Sequence, residues 1–146
     1  MTKDFEQLSH TADVQLRVYG KDIEELFRNA LRGMFYLVVP KLPTCKMVDD
    51  RIVCDEFTCE RDLKVTSPDR DALLVDFLSD ALYFFAVHKE VYLDVMFKTL
   101  TDTKLEATIR GVKHEGMQLE IKAVTYHDLH IKKIDGTWQT DIVFDI

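Results

Sequence analysis

Two wide apolar stripes at helical spacing constrain this chain more than any other feature of it. Ile23, Leu26, Phe27, Ala30, Leu31, Met34 and Phe35 make the first; Leu73, Leu74, Phe77, Leu78, Ala81, Leu82 and Phe85 make the second. Each predicts an amphipathic helix whose apolar face must be buried against another element. Asp22 with Glu25 fits a capping box ahead of the first helix, which ends before Pro40. Ser67 followed by Pro68 predicts the start of the second, with the serine as N-cap and the proline in the first helical position.

Around these helices the pattern changes to that of strands. Val14, Leu16 and Val18 alternate with Gln15, Arg17 and Tyr19, which reads as a half-buried strand. From about Arg51 to Thr66 the chain reads as extended, with Ile52, Cys54, Phe57 and Cys59 inward and a bulge where the alternation slips. "VYLDVMF" from Val91 and "KLEATIRGV" from Lys104 read as two further extended segments. "LEIKAVTYHDLHI", Leu119 to Ile131, is rich in β-formers toward its end, while its "LEIKAV" suits a single helical turn as well. Asp135-Gly136 signals a type I′ hairpin, with Trp138 to Ile146 as the return strand. Two long helices among partly consecutive strands predict an α+β fold rather than a doubly wound one. The expectation is one domain over residues 1–146, a mixed sheet with both helices on one face.

Composition excludes several classes of function. A chain of 146 residues removes roughly 70% of its unfolded surface from water, so it needs no staples. The net charge of -7 gives no general attraction to nucleic acid, so a role in RNA or DNA metabolism would run through a protein partner. The beginning, "MTKDFEQLSH", has no apolar leader, and Cys45, Cys54 and Cys59 are odd in number, which together predict reduced thiols and a cytoplasmic location. The longest apolar run, Ala81 to Val87, is far short of the ~20 residues that span a bilayer, so no membrane is expected. The chain has no glycine-rich nucleotide cradle and no nucleophile elbow. Its cysteine spacing matches no familiar zinc site, and His127 and His130, three apart, would fall on opposite faces of a strand.

Two acids stand out. In the last strand Asp145 has the parity opposite to Ile142, Phe144 and Ile146; in the first, Asp13 has the parity opposite to Val14, Leu16 and Val18. Both carboxylates therefore face away from the core or lie at its rim. Parity by itself is satisfied by solvated acids at strand ends.

At these same positions the sequence resembles the archease family. "HTADVQL" (His10 to Leu16), "EELF" (Glu24 to Phe27), "LLVDFLSDALYFF" (Leu73 to Phe85), "EIKAVTYHDLHI" (Glu120 to Ile131) and the closing "VFDI" occur in the family's order and at similar spacing. The segment from Thr44 to Thr66, with its three cysteines, departs from that pattern. The resemblance implies a non-catalytic cytoplasmic protein of tRNA splicing and RNA repair. Its partner would be the RNA-splicing ligase that joins 2′,3′-cyclic-phosphate or 3′-phosphate ends to 5′-hydroxyl ends. It would promote GTP-dependent guanylylation of that ligase and its multiple turnover, and would meet tRNA only through it.

The resemblance also implies a metal site made of Asp13, Asp145 and the α-carboxylate of Ile146. Such a set of hard oxygens suits Ca2+ best, with Mg2+ or Mn2+ as alternatives, and does not favour zinc. Three gathered carboxylates also repel one another unless a cation joins them. Lys122 is marked by the resemblance as functional, as a point charge toward a partner carboxylate or phosphate; His10 and His127 stand as groups near the ion or facing the partner. Two other readings use the same residues. One is a metal-dependent phosphohydrolase or nuclease, which would normally want a second metal. The other is a chaperone-like binding module, which would show an exposed apolar patch.

Overall fold

The computed structural model describes residues 3–8 and 13–146. In chain order the elements are β1 (Phe5–Leu8), β2 (Val14–Gly20), α1 (Ile23–Leu37), β3 (Cys45–Val48), β4 (Arg51–Cys54), β5 (Cys59–Thr66), α2 (Arg70–His88), β6 (Glu90–Leu100), β7 (Lys104–Lys113), β8 (Ala123–Val124), β9 (Lys132–Ile134) and β10 (Thr137–Asp145). The fold class is α+β, with two helices and several sheets among the described residues. Among the described residues no helix is long and apolar enough to cross a membrane.

Both helices start on aspartate caps. Asp22 Oδ1 accepts the Glu25 N–H at 2.8 Å, and Glu25 Oε1 accepts the Lys21 N–H at 3.1 Å, closing the expected box one residue early. α2 corrects its expectation. The cap is Asp69, whose Oδ1 accepts the Ala72 N–H at 2.8 Å, and the helix begins two residues later than Ser67-Pro68 suggests. Ser67 is buried and donates its hydroxyl to Asp76 instead, so its oxygen is committed elsewhere. α2 stops at Lys89, which takes a left-handed conformation and donates its N–H to the Phe85 carbonyl.

The strands do not form one mixed sheet. A five-stranded sheet has the order β1-β2-β10-β8 with β9 also on β10; a three-stranded sheet has the order β5-β7-β6; β3 and β4 form a separate hairpin. Every pairing between these strands is antiparallel. The reason lies in the crossover. α2 joins β5 to β6, which run in the same direction, but β7 inserts between them and pairs antiparallel with both.

Both helices do share one face of the three-stranded sheet, as the two stripes require. Phe27 of α1 and Phe77 of α2 meet at 5.9 Å between ring centroids, and each packs against Phe97 of β6, at 6.5 and 6.3 Å. Register aligns Leu63, Val65, Leu105, Ala107, Ile109 and Val95 beneath them, all buried. α1 is covered by the five-stranded sheet as well: a Cβ on Gly33 would come within 2.6 Å of a Leu16 methyl. Burial by two sheets explains why even Asn29 is buried, its amide donating to the Tyr19 carbonyl at 2.8 Å.

Three further expectations are corrected. The stretch from Arg51 to Thr66 is two strands with a break at residues 55–58, not one bulged strand, because β4 pairs with β3 through a turn at Asp49 and Asp50, both with positive φ, whereas β5 pairs with β7 in another sheet. From Leu119 to Ile131 only Ala123–Val124 pairs as strand; the remainder is irregular and tied down by side chains, so His127 and His130 lie outside any strand. The cysteines are not all reduced: Cys45 and Cys54, directly opposed in the β3–β4 register, form a disulfide, and Cys59 is free. The Asp135-Gly136 hairpin forms as expected between β9 and β10, with φ of 51° and 82°.

Candidate metal-binding rim

The alternation of β2 and of β10 puts their apolar residues on the same face. Phe144 pairs with Val14 and Ile142 with Leu16, and all four are buried. The opposite face of this strand pair carries the polar residues. Arg17 and Asp141 face each other there in a two-pronged ion pair, at 2.8 and 3.1 Å, and Gln15 donates to the same carboxylate at 3.4 Å. The hydrogen bonds and charge of Asp141 outweigh desolvation and raise the Arg17 guanidinium above its ordinary value.

The last paired residues of β2 and β10 are Val14 and Phe144. One residue further on each strand stand Asp13 and Asp145, so the register carries the two acids to the same rim. Asp13 is half-buried and Asp145 exposed. Unlike Asp141, neither has an ion-pair partner among the described residues.

A third strand brings a lysine to the rim. β8 pairs with β10 on its other edge, Val124 opposite Phe144 and Ala123 opposite Asp145. Lys122 comes next, and its backbone N–H donates to the Asp145 carbonyl at 2.8 Å. Its side chain is exposed and unpaired among the described residues. β8 is only two residues long, so the segment around it needs other anchors. Thr125 gives the Val143 carbonyl both its N–H, at 3.0 Å, and its hydroxyl, at 2.9 Å. Tyr126 donates its hydroxyl to Asp76, and Asp71 accepts the Ile131 N–H at 3.0 Å.

Sequence reasoning missed Asp71 and Asp76, although both interrupt the apolar pattern of α2 at positions where a solvated acid would be unremarkable. Asp80, one turn beyond Asp76, is a third such acid; burial, and then the charge of Asp76, push its carboxyl above the ordinary range. His127 is exposed with Nε2 3.2 Å from its neighbour Asp128. His10 lies outside the described residues.

Among the described residues no three His, Cys, Asp or Glu side chains gather into a metal cluster. The side chains that the rim offers a cation are therefore the two aspartates. That donor set is all oxygen and fits a hard divalent ion. The model of the Archease protein family (MTH1598/TM1083) matches residues 5–146. The chain belongs to the archease family. The protein named archease from Methanosarcina mazei is 34% identical to this archease over 152 residues, 99% of this chain and 97% of its own. The archease of Thermococcus kodakarensis is also 34% identical, covering 99% of each chain. The solution structure of Methanobacterium thermoautotrophicum protein 1598 aligns with a TM-score of 0.70 at 30% identity, over 99% of this chain and 100% of that one. The crystal structure of a Thermotoga maritima archease, described as a possible chaperone, aligns at 0.62 and 22% identity over 97% and 96% of the two chains, a likeness of fold alone.

Proposed function

We propose that this archease is a metal-binding accessory protein of an RNA-splicing ligase, with no turnover of its own. It promotes GTP-dependent guanylylation of the ligase and lets it act repeatedly in tRNA splicing and RNA repair. Family membership supports the reading. The observation that supports it within this chain is the rim, where the ends of β2 and β10 carry Asp13 and Asp145, without ion-pair partners among the described residues, and Lys122 precedes β8 beside them.

Asp13, Asp145 and the α-carboxylate of Ile146 would hold a divalent ion, Ca2+ best, with Mg2+ or Mn2+ as alternatives. Bound there, the ion supplies the positive charge that lets neighbouring carboxylates stay ionised. The chain's own part is positional. β2 and β10 fix the spacing of the acids, and the anchored segment around β8 presents Lys122 toward an anionic group of the partner. A net charge of -7 accords with reaching RNA through the ligase rather than directly.

The test is ligation of 2′,3′-cyclic-phosphate RNA to 5′-hydroxyl RNA by the ligase, under single and multiple turnover, with and without this protein and divalent metal. Stimulated guanylylation and turnover that disappear on chelation support the proposal. Unchanged ligation overturns it, and hydrolysis of RNA by this protein alone replaces it with the phosphohydrolase reading.

A further inference from the structure

α2 is apolar on more than its buried side. Leu78, Leu82 and Phe85 face the core, yet Tyr83 and Val87, one turn apart, are 63% and 54% exposed. A helix that is apolar on its outer side as well is one that normally has cover. Beside it runs the irregular chain from His114 to Val124, and between the two lies a groove of about 610 Å3. Met117, 43% exposed, lines one wall, and buried Ile121 and Phe85 line it deeper in.

The groove is pinned at both ends. The His114 ring stacks on Phe85 at 5.0 Å between centroids, and the His114 N–H donates to the Lys89 carbonyl at 3.0 Å. The other end of the same wall is held through the Lys122–Asp145 backbone hydrogen bond. Little ordering is left for a ligand to impose, which favours binding.

Its charge is opposite to that of the molecule. The lining has two lysines, Lys89 and Lys122, neither ion-paired among the described residues, against one carboxylate, Glu120. The whole chain carries -7. We propose that this groove docks an acidic polypeptide segment of a partner protein, apolar side chains lying against Tyr83, Met117 and Ile121 and carboxylates meeting Lys89 and Lys122. Nucleic acid is the poorer fit: the lining is mostly apolar and sets two lysines against a chain that carries a phosphate on every nucleotide. The inference shares Lys122 with the proposed function, deepening its partner-facing role, and does not require that the carboxylate rim hold a metal.

The test uses the full chain and two capped synthetic peptides, one alternating aspartate with leucine and phenylalanine, the other carrying lysine for aspartate. Binding is followed by methyl NMR at Met117, Ile121 and Val124, which line the groove. The acidic peptide is expected to shift these methyls saturably, more weakly at high salt, and the lysine peptide to leave them unmoved. The double variant Lys89→Glu with Lys122→Glu, with its folded spectrum retained, should lose at least about tenfold in affinity for the acidic peptide. Tyr83→Ala should weaken binding with the charges intact. Equal binding of both peptides, shifts confined to other surfaces, displacement of the acidic peptide by a short RNA, or occupation of the groove by a second copy of the chain would each overturn the proposal.

Discussion

The Lys122 N–H donates to the Asp145 carbonyl at 2.8 Å, so a lysine and an aspartate of the rim are joined through the backbone, not through their charges. Removing either side chain leaves this hydrogen bond in place. The two functions proposed for the rim, holding a metal and meeting a partner, are therefore separable by substitution.

Asp13→Ala and Asp145→Ala are expected to lose more than about tenfold in divalent-metal affinity, since even groups that only orient a ligand contribute 10–100-fold. Neither carboxylate packs in the core, so the melting temperature without metal should stay within a few degrees. Lys122→Ala should keep metal affinity and lose the effect on ligase guanylylation. Calorimetry and a guanylylation assay on the three variants separate these outcomes; normal stimulation by both aspartate variants would falsify the metal-rim reading.

Glu90 is 2% exposed and accepts hydrogen bonds from Arg61, at 2.9 and 3.0 Å, and from the Tyr92 hydroxyl at 2.7 Å. Burial opposes its ionisation, but the bonds from Arg61 and Tyr92 and the charge of Arg61 outweigh it and hold the carboxyl below its ordinary range. A carboxyl depressed by folding contributes stability above its unfolded value, near 4.3, and loses it as pH falls through the lower folded value. Glu90→Gln should cost about 2 kcal/mol at neutral pH and flatten this acid loss. Urea midpoints from pH 7 to pH 3 check it; parallel curves for the two proteins count against the network.

Gly111 lies in β7 where β6 slips its register, between the Tyr92–Gly111 and Asp94–Arg110 pairs. A Cβ there would stand 1.7 Å from the Val91 carbonyl oxygen, with only backbone to yield. Gly111→Ala should lose more than about 4 kcal/mol, a cost reserved for core or backbone disruption. A well-folded variant of near-normal melting temperature contradicts this.

The hairpin of β3 and β4 pairs with no other strand among those described. It is held by its disulfide, by Arg51 against Asp4 at 2.8 Å, and by the Tyr36 hydroxyl on Asp50 at 3.2 Å. An isolated two-stranded hairpin is marginal in water, and closing a loop of this size with a disulfide contributes roughly 2–3 kcal/mol. Treatment with a dithiol should speed amide exchange across residues 45–54 while β2 and β10 stay protected. Two thiols should then alkylate readily. Cys59 should lag, because burial, and then Glu90, push its thiol up to about 11.

What was legible in the sequence is what local chemistry settles. The stripes from Ile23 and from Leu73 repeat at the helical period, and Asp135-Gly136 supplies the two positive φ angles a tight hairpin needs, so no distant contact could easily override them. The outward parity of Asp13 and Asp145 was equally local, a consequence of alternation alone. Where the chain lacks a dominant period the reading failed. β3 is exposed along most of its length and shows no alternation, and the acid two residues past Ser67 caps α2 because its carboxylate is free to turn back.

Tertiary structure decided everything that depends on which strands meet. That β7 would slide between β5 and β6, leaving no parallel pair where a mixed sheet was expected, is set by how two helices and their sheets close around Phe27, Phe77 and Phe97. Pairing across the core is not written in any one segment. The rim is the same case: Asp13 and Asp145 stand 132 positions apart, and the β2–β10 register brings the strand ends that carry them to one rim, while the short β8 brings Lys122 to the β10 edge. The sequence by itself determined which side chains face outward; long-range strand pairing, stabilised by the core beneath it, determined which of them share a site.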